Sequence, residues 1–176
     1  MEEKDLALAA VAAAVGDVKV AKALLDLTSE GEFHEVELAQ KLDMTQQDVR
    51  KILYALQDAN LAHQLRTEEL EDGGRRTYWR LNLANSRDFL RTRLRKVRSL
   101  LLGRRGLEEF SQFYVCANDP SHYRVPSDEV LPQLMNGGEV TCPKCGAALE
   151  PEDKTKMLAK IDEIVRTIDS LLEDLG

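Results

Sequence analysis

Three cysteines in the second half of this 176-residue chain sit at spacings that suit a divalent metal ion. Cys142-Pro143-Lys144-Cys145-Gly146 is a complete knuckle, in which a C-x-x-C turn presents two thiolates to one ion and glycine admits the backbone turn. Upstream, Tyr114-Val115-Cys116-Ala117-Asn118-Asp119 begins a second knuckle and carries aspartate where its second thiolate would stand. A closed structural zinc site takes four ligands around a tetrahedron, commonly two from each knuckle. The fourth donor is then Asp119, at the matching position, or His122, three residues on, because zinc accepts carboxylate oxygen and imidazole nitrogen alike. The competing reading is a ribbon whose thiols are simply packed and hold no ion. His34 and His63 lie far upstream and read as ordinary surface or core residues.

No catalytic grouping accompanies these residues. The chain has no Ser/His/Asp set, no phosphate-binding glycine loop and no activated cysteine outside the knuckles, so the expectation is a protein that is not an enzyme. The apolar fraction is 43%, the charged fraction 31% and the net charge −7. That balance disfavours a chain that coats duplex DNA unaided, since neutralising phosphates needs a basic surface. The acidic start Met1-Glu2-Glu3-Lys4-Asp5 lacks the basic region of a signal peptide, and the apolar stretch 6–15 is too short to cross a bilayer. Three cysteines, two of them in a knuckle, suit metal binding in a reducing compartment, and the expected setting is cytoplasmic.

The elements that must position these groups follow from periodicity. Asp5 is expected to cap a first helix that Gly16 ends; Asp17 opens a second with Val20, Ala23, Leu24 and Leu27 inward; residues 28–32 form a turn. A short helix carries Val36, Leu38, Ala39 and Leu42. After a tight turn, Thr45 caps a helix over 46–60 with Val49, Ile52, Leu53 and Leu56 facing the core. Strands over 61–65 and 75–81 flank hairpin residues 71–74, and a helix-turn-helix followed by a hairpin is a winged helix. The outward side of the recognition helix offers Gln46, Gln47, Arg50 and Lys51, types that read base edges or hold phosphate. In the wing, Arg75-Arg76-Thr77-Tyr78-Trp79-Arg80 alternates along a strand, so one aromatic packs inward and the other stands among arginines, where it suits stacking on unpaired bases or a protein interface.

A helix over 86–102, bracketed by Gly103 and Gly106, follows. From Arg87 to Arg105 there are eight basic residues and one acid, Asp88, and Leu90, Leu94, Val97 and Leu101 make a heptad seam. The last segment repeats that period with Leu158, Ile161, Val165, Ile168, Leu172 and Leu175 among acids, so an antiparallel pairing of the two helices is expected. The fold class is α+β, organised as a winged-helix domain (1–85), a basic helical linker (86–110), a zinc-ribbon-like domain (111–152) and a C-terminal helix (153–176).

This order, with Phe113-Tyr114-Val115-Cys116 and Cys142-Pro143-Lys144-Cys145-Gly146 behind a winged helix, resembles archaeal transcription factor E, the counterpart of the α subunit of eukaryotic TFIIE. The resemblance implies a general transcription initiation factor that joins the preinitiation complex, contacts the RNA polymerase clamp and stalk and the TATA-binding protein, and promotes promoter opening. It further implies a zinc ribbon built on Cys116, Cys142 and Cys145, wing aromatics (Tyr78 and Trp79) near the displaced DNA strand, and a monomer or a heterodimer with a β-type subunit. The alternative is a metal- or redox-sensing, dimeric winged-helix repressor with a two-fold operator.

Overall fold

The computed structural model describes every residue except Met1, Ser29, Glu30 and Asp72, so parts of the expected turns at 28–32 and 71–74 lie outside the described residues. Two compact units emerge: Met1–Arg95 with Asp174–Gly176, and Lys96–Glu173.

In the first unit, α1 (Glu3–Val15) stops at Gly16, whose φ of 80° is the left-handed turn that glycine adopts without strain. Asp5 does not cap this helix. It lies inside the first turn, where its carboxylate faces the positive end of the helix dipole. Asp17 starts α2 (Val18–Thr28) by accepting the Lys19 and Val20 backbone N–H groups. A two-residue strand, β1 (Phe33–His34), precedes α3 (Glu35–Leu42). His34 caps α3 reciprocally: the Glu37 N–H donates to its ring, and the Glu37 carboxylate accepts the His34 N–H at 3.0 Å. Asp43 ends α3 at a φ of 52°, and Thr45 accepts the Asp48 N–H to start α4 (Gln46–Asp58). One face of α4 buries Val49, Leu53 and Leu56, at helical spacing.

The wing pairs β2 (Ala62–Glu69) antiparallel to β3 (Arg75–Leu81), with an irregularity between Gln64 and Arg66. β1 adds to the other edge of β3, giving the order β1-β3-β2 and setting Phe33 opposite Trp79. Those two side chains, with Leu24, Leu38, Leu53, Leu56 and Leu61, are the large groups at the centre of the core. The short β1 was not foreseen, because two residues carry no readable period.

The helix α5 (Ser86–Phe110) runs through Gly103 and Gly106 rather than ending near them. A helix-interior glycine costs about 1 kcal/mol relative to alanine, yet the helix continues through both positions. In the second unit α7 (Thr155–Asp174) buries Ile161, Val165 and Ile168. Two ion pairs tie it to α5: Arg98 to Asp169, and, seven residues on in one helix and seven back in the other, Arg105 to Asp162 at 2.6 Å. That exchange of positions is the signature of antiparallel helices in heptad register.

The ribbon sheet has the order β5-β4-β6, built from β4 (Phe113–Cys116), β5 (Arg124–Pro126) and β6 (Leu149–Pro151). Between its knuckles lies α6 (Ser127–Met135), an element the sequence reading missed because Pro132 sits inside it. Glu108, at the end of α5 and 5% exposed, anchors this sheet. It pairs with Arg104 at 2.8 Å, Arg124 at 2.7 Å and Lys154 at 3.7 Å, while the Arg124 guanidinium covers the Phe113 ring. Burial pushes the Glu108 carboxyl up, but the Arg124 hydrogen bond and the surrounding cations outweigh it and hold the group below its ordinary value. A carboxyl lowered in the folded state contributes fully above its unfolded value of about 4.3 and loses that contribution as pH falls through the lower folded value. The ribbon unit therefore weakens on acidification below about pH 4. Glu108→Gln removes that part of the dependence and lowers stability at pH 7, as acid titrations followed by circular dichroism would read.

Candidate functional site

Cys116 ends β4, and Cys142 and Cys145 stand on the turn before β6. The second turn is built by backbone bonds: the Cys142 N–H donates to Ala147, the Gly146 N–H donates to Cys142, and Gly146 takes a φ of 74°. Across the sheet the Cys116 N–H donates to Tyr123 and the Ala117 N–H to Ala148, which brings the two turns together. The ligand atoms of Cys116, His122, Cys142 and Cys145 all lie within 4.8 Å of one another. Cys116 Sγ is 3.4 Å from Cys145 Sγ and 4.0 Å from His122 Nδ1. Zinc bonds of about 2.0–2.3 Å in a tetrahedron set donors about 3.3–3.8 Å apart. Three sulfurs and one imidazole nitrogen gathered within 4.8 Å lie close enough together to bind one metal ion, at separations somewhat wider than the bound tetrahedron.

Of the two sequence candidates for the fourth donor, His122 joins the sulfurs and Asp119 does not. Asp119 Oδ1 accepts the Ser121 N–H at 2.8 Å, and Oδ2 lies 3.7 Å from His122 Nε2, on the ring edge away from Cys116. The Asp119 backbone amide, with help from the neighbouring sulfurs and the Asn118 amide, lowers the Cys116 thiol to about 6, which favours its thiolate form. Cys145 accepts the Ala147 amide, which lowers it, but the adjoining Cys116 sulfur leads the opposing effects and leaves it raised. Cys116 and Cys142 are buried, and Cys145 is exposed.

The winged-helix candidates divide. Gln46 and Gln47 are exposed at the start of α4. Arg50 is not free for a phosphate: its Nε donates to Glu35 at 2.8 Å, and Glu35 is only 1% exposed, so the guanidinium neutralises a buried carboxylate. Lys51 pairs with Asp48 at 2.9 Å. In the wing, Arg75 lies 3.6 Å from Glu69, Arg80 is exposed, and Arg76 is half-buried. Trp79 was a candidate contact, but it is 1% exposed and meets Tyr54 edge-on at 5.7 Å. Strand alternation turns it into the core opposite Phe33 and leaves Tyr78 on the other face. Tyr78 is the outward aromatic, covered by Arg66 at 4.0 Å from its ring, its hydroxyl donating to Glu68 at 3.0 Å. Neither Glu35 nor Arg66 had been singled out, because both act through partners distant in sequence.

The sequence model of the TFIIE alpha subunit family matches residues 6–109. Among curated relatives, Transcription factor E of Archaeoglobus fulgidus is 33% identical over 152 residues, covering 86% of this chain and 82% of its own. That of Pyrococcus abyssi is 32% identical over 172 residues, covering 97% and 85%. That of Metallosphaera sedula is 31% identical over 143 residues, covering 81% and 77%. The chain belongs to the TFIIE alpha family. It is a basal transcription initiation factor, and the reading as a sensing repressor is not favoured. The family match spans the winged helix and nearly all of α5, whereas the donor cluster lies beyond it and stands on its own geometry.

The split between the wing aromatics is measurable. Trp79→Ala removes a large buried side chain and is expected to destabilise the first unit by about 3–5 kcal/mol. Tyr78→Ala should cost about 1 kcal/mol or less. Urea unfolding followed by circular dichroism gives both values, and equal effects would contradict the burial difference.

Proposed function

We propose that this family member joins an RNA polymerase preinitiation complex and promotes or stabilises promoter opening, acting by binding and not by catalysis. The observation that carries this reading is the match to proteins called Transcription factor E over more than three-quarters of both chains. The polymerase clamp and stalk, the TATA-binding protein and promoter DNA in the open complex are the proposed partners, with a β-type subunit as a further candidate. The net charge of −7 agrees with recruitment through protein contacts, since such a factor needs no strong field for phosphate. The working surface in this proposal is the exposed start of α4 with the outward wing, namely Gln46, Gln47, Arg75, Tyr78 and Arg80. The proposed setting is the cytoplasm. Among the described residues no helix is long and apolar enough to cross a membrane.

The same proposal assigns zinc to Cys116, His122, Cys142 and Cys145. Its role is structural: four protein donors leave no open position for a substrate. Metal analysis of the purified chain should find about one zinc per molecule. Cys145→Ser, which removes the exposed sulfur, should lower that content sharply; a zinc-free parent would refute the assignment.

Function is tested in a reconstituted archaeal promoter-opening assay with polymerase, the TATA-binding protein and transcription factor B. Adding the chain should increase open complex and transcript at weak promoters, and no increase would overturn the reading. Tyr78→Ala combined with Gln47→Ala should weaken the stimulation while leaving the circular dichroism spectrum intact.

A further inference from the structure

We propose that Asp119 is a positioning residue for the metal ion, acting through His122: its carboxylate accepts a hydrogen bond from the Nε2–H, which keeps the proton on Nε2 and leaves the Nδ1 lone pair facing the three sulfurs. The inference rests on the reading of the cluster as a metal site and goes one step behind its donors.

A neutral imidazole carries a proton on one nitrogen and a lone pair on the other, and only the lone pair can ligate. His122 presents its two nitrogens to two different neighbours. Nδ1 is 4.0 Å from Cys116 Sγ, and Nε2 is 3.7 Å from Asp119 Oδ2. The ring thus stands between the sulfur cluster and the carboxylate. Asp119 is itself held in place. Oδ1 accepts the Ser121 N–H at 2.8 Å, and the His122 N–H donates to the Asp119 carbonyl at 2.9 Å, so one tight turn fixes both residues. Oδ2 is the oxygen left to face Nε2. A carboxylate behind a ligating histidine orients the ring, fixes its tautomer and raises its basicity, and loss of such a partner typically weakens metal binding 10–100-fold.

The arrangement accounts for an aspartate at the position where a second thiolate was expected. The side chain is tied to Ser121 and stays outside the donor cluster, yet it stands against the one donor that can exist in two tautomers. The three cysteines have no such requirement, because a thiolate offers the same atom whichever way it is approached.

Zinc affinity, measured by competition against a chromophoric chelator, should fall about 10–100-fold in Asp119→Ala. The cobalt(II) spectrum should keep the band envelope of three sulfurs and one nitrogen. In the background of His122→Cys, where no tautomer needs fixing, Asp119→Ala should change affinity by less than about threefold, so the two effects are coupled and not additive. Nitrogen-15 NMR of the unmodified zinc-loaded chain should place the proton on Nε2 of His122 and the metal on Nδ1, a readout that needs no variant to fold. Equal losses in both backgrounds would mean that Asp119 only shapes the turn, and would overturn the proposal. So would an unchanged affinity in Asp119→Ala, or a proton found on Nδ1. A parent chain that binds no zinc would overturn the metal reading as well; a parent that binds tightly without the coupling overturns this inference alone.

Discussion

Around the ribbon sheet the buried apolar cluster comprises Cys116, Val125, Val130, Cys142 and Leu149, with Tyr114, Val140 and Ala147 packed against it. Two of the five are themselves members of the donor cluster. A region with so little apolar surface to bury cannot offset the conformational entropy of its two turns by hydrophobic burial alone, and small modules of this kind depend on metals or disulfides. The three cysteines are free thiols. In the proposed zinc reading the four-donor cluster would draw the turns together, alongside the backbone bonds across the sheet and the Glu108 network at its edge. Metal binding and folding are one equilibrium in such a site, because the donors converge only when the sheet is formed.

The charge distribution obeys a related constraint. The basic segment from Arg87 to Arg105 reads in isolation as a stripe for phosphate, but in the second unit its cations are largely engaged. Arg98 and Arg105 meet Asp169 and Asp162, and Arg104 meets the buried Glu108. The partly exposed Arg98 and Arg105 pairs contribute little stability each, about 0–1 kcal/mol; their heptad placement sets register and direction instead. Arg50 is engaged too, neutralising the buried Glu35. Several cations that looked available for nucleic acid are thus structural. The outward surface of the winged helix is left with amides, Tyr78 and a few arginines, a composition better suited to protein contacts and unpaired bases than to a duplex backbone.

Elements set by local chemistry were legible in the sequence. Gly16, Asp17 and Thr45 mark helix ends through their own φ angles and side-chain bonds, and the hydrophobic period of α4 and α7 reports the faces they bury. Features set by tertiary contact were not. β1 has two residues and exists only because β3 offers it an edge; α6 contains a proline and is held by the burial of Val130; α5 passes two glycines. Alternation in β3 established that Tyr78 and Trp79 face opposite ways, but which of them faces inward is a matter of tertiary packing, with Trp79 in the core opposite Phe33, which a period-two pattern does not show.

The departure at Asp119 follows from reach. Cys142 and Cys145 are three residues apart and converge through one short turn, whereas Cys116 and His122 are six apart and need the loop between them to fold back. The imidazole places its nitrogen farther from its own backbone than a thiol places its sulfur, so a donor on a longer loop can still arrive at the same vertex. The cost is orientational freedom, which a thiolate does not have to control and a ring does. A carboxylate on the same turn, three residues before the histidine and fixed by Ser121, restrains that freedom without entering the coordination sphere. Replacing a thiolate in this knuckle therefore takes two residues with separate roles, one that binds and one that holds the binder.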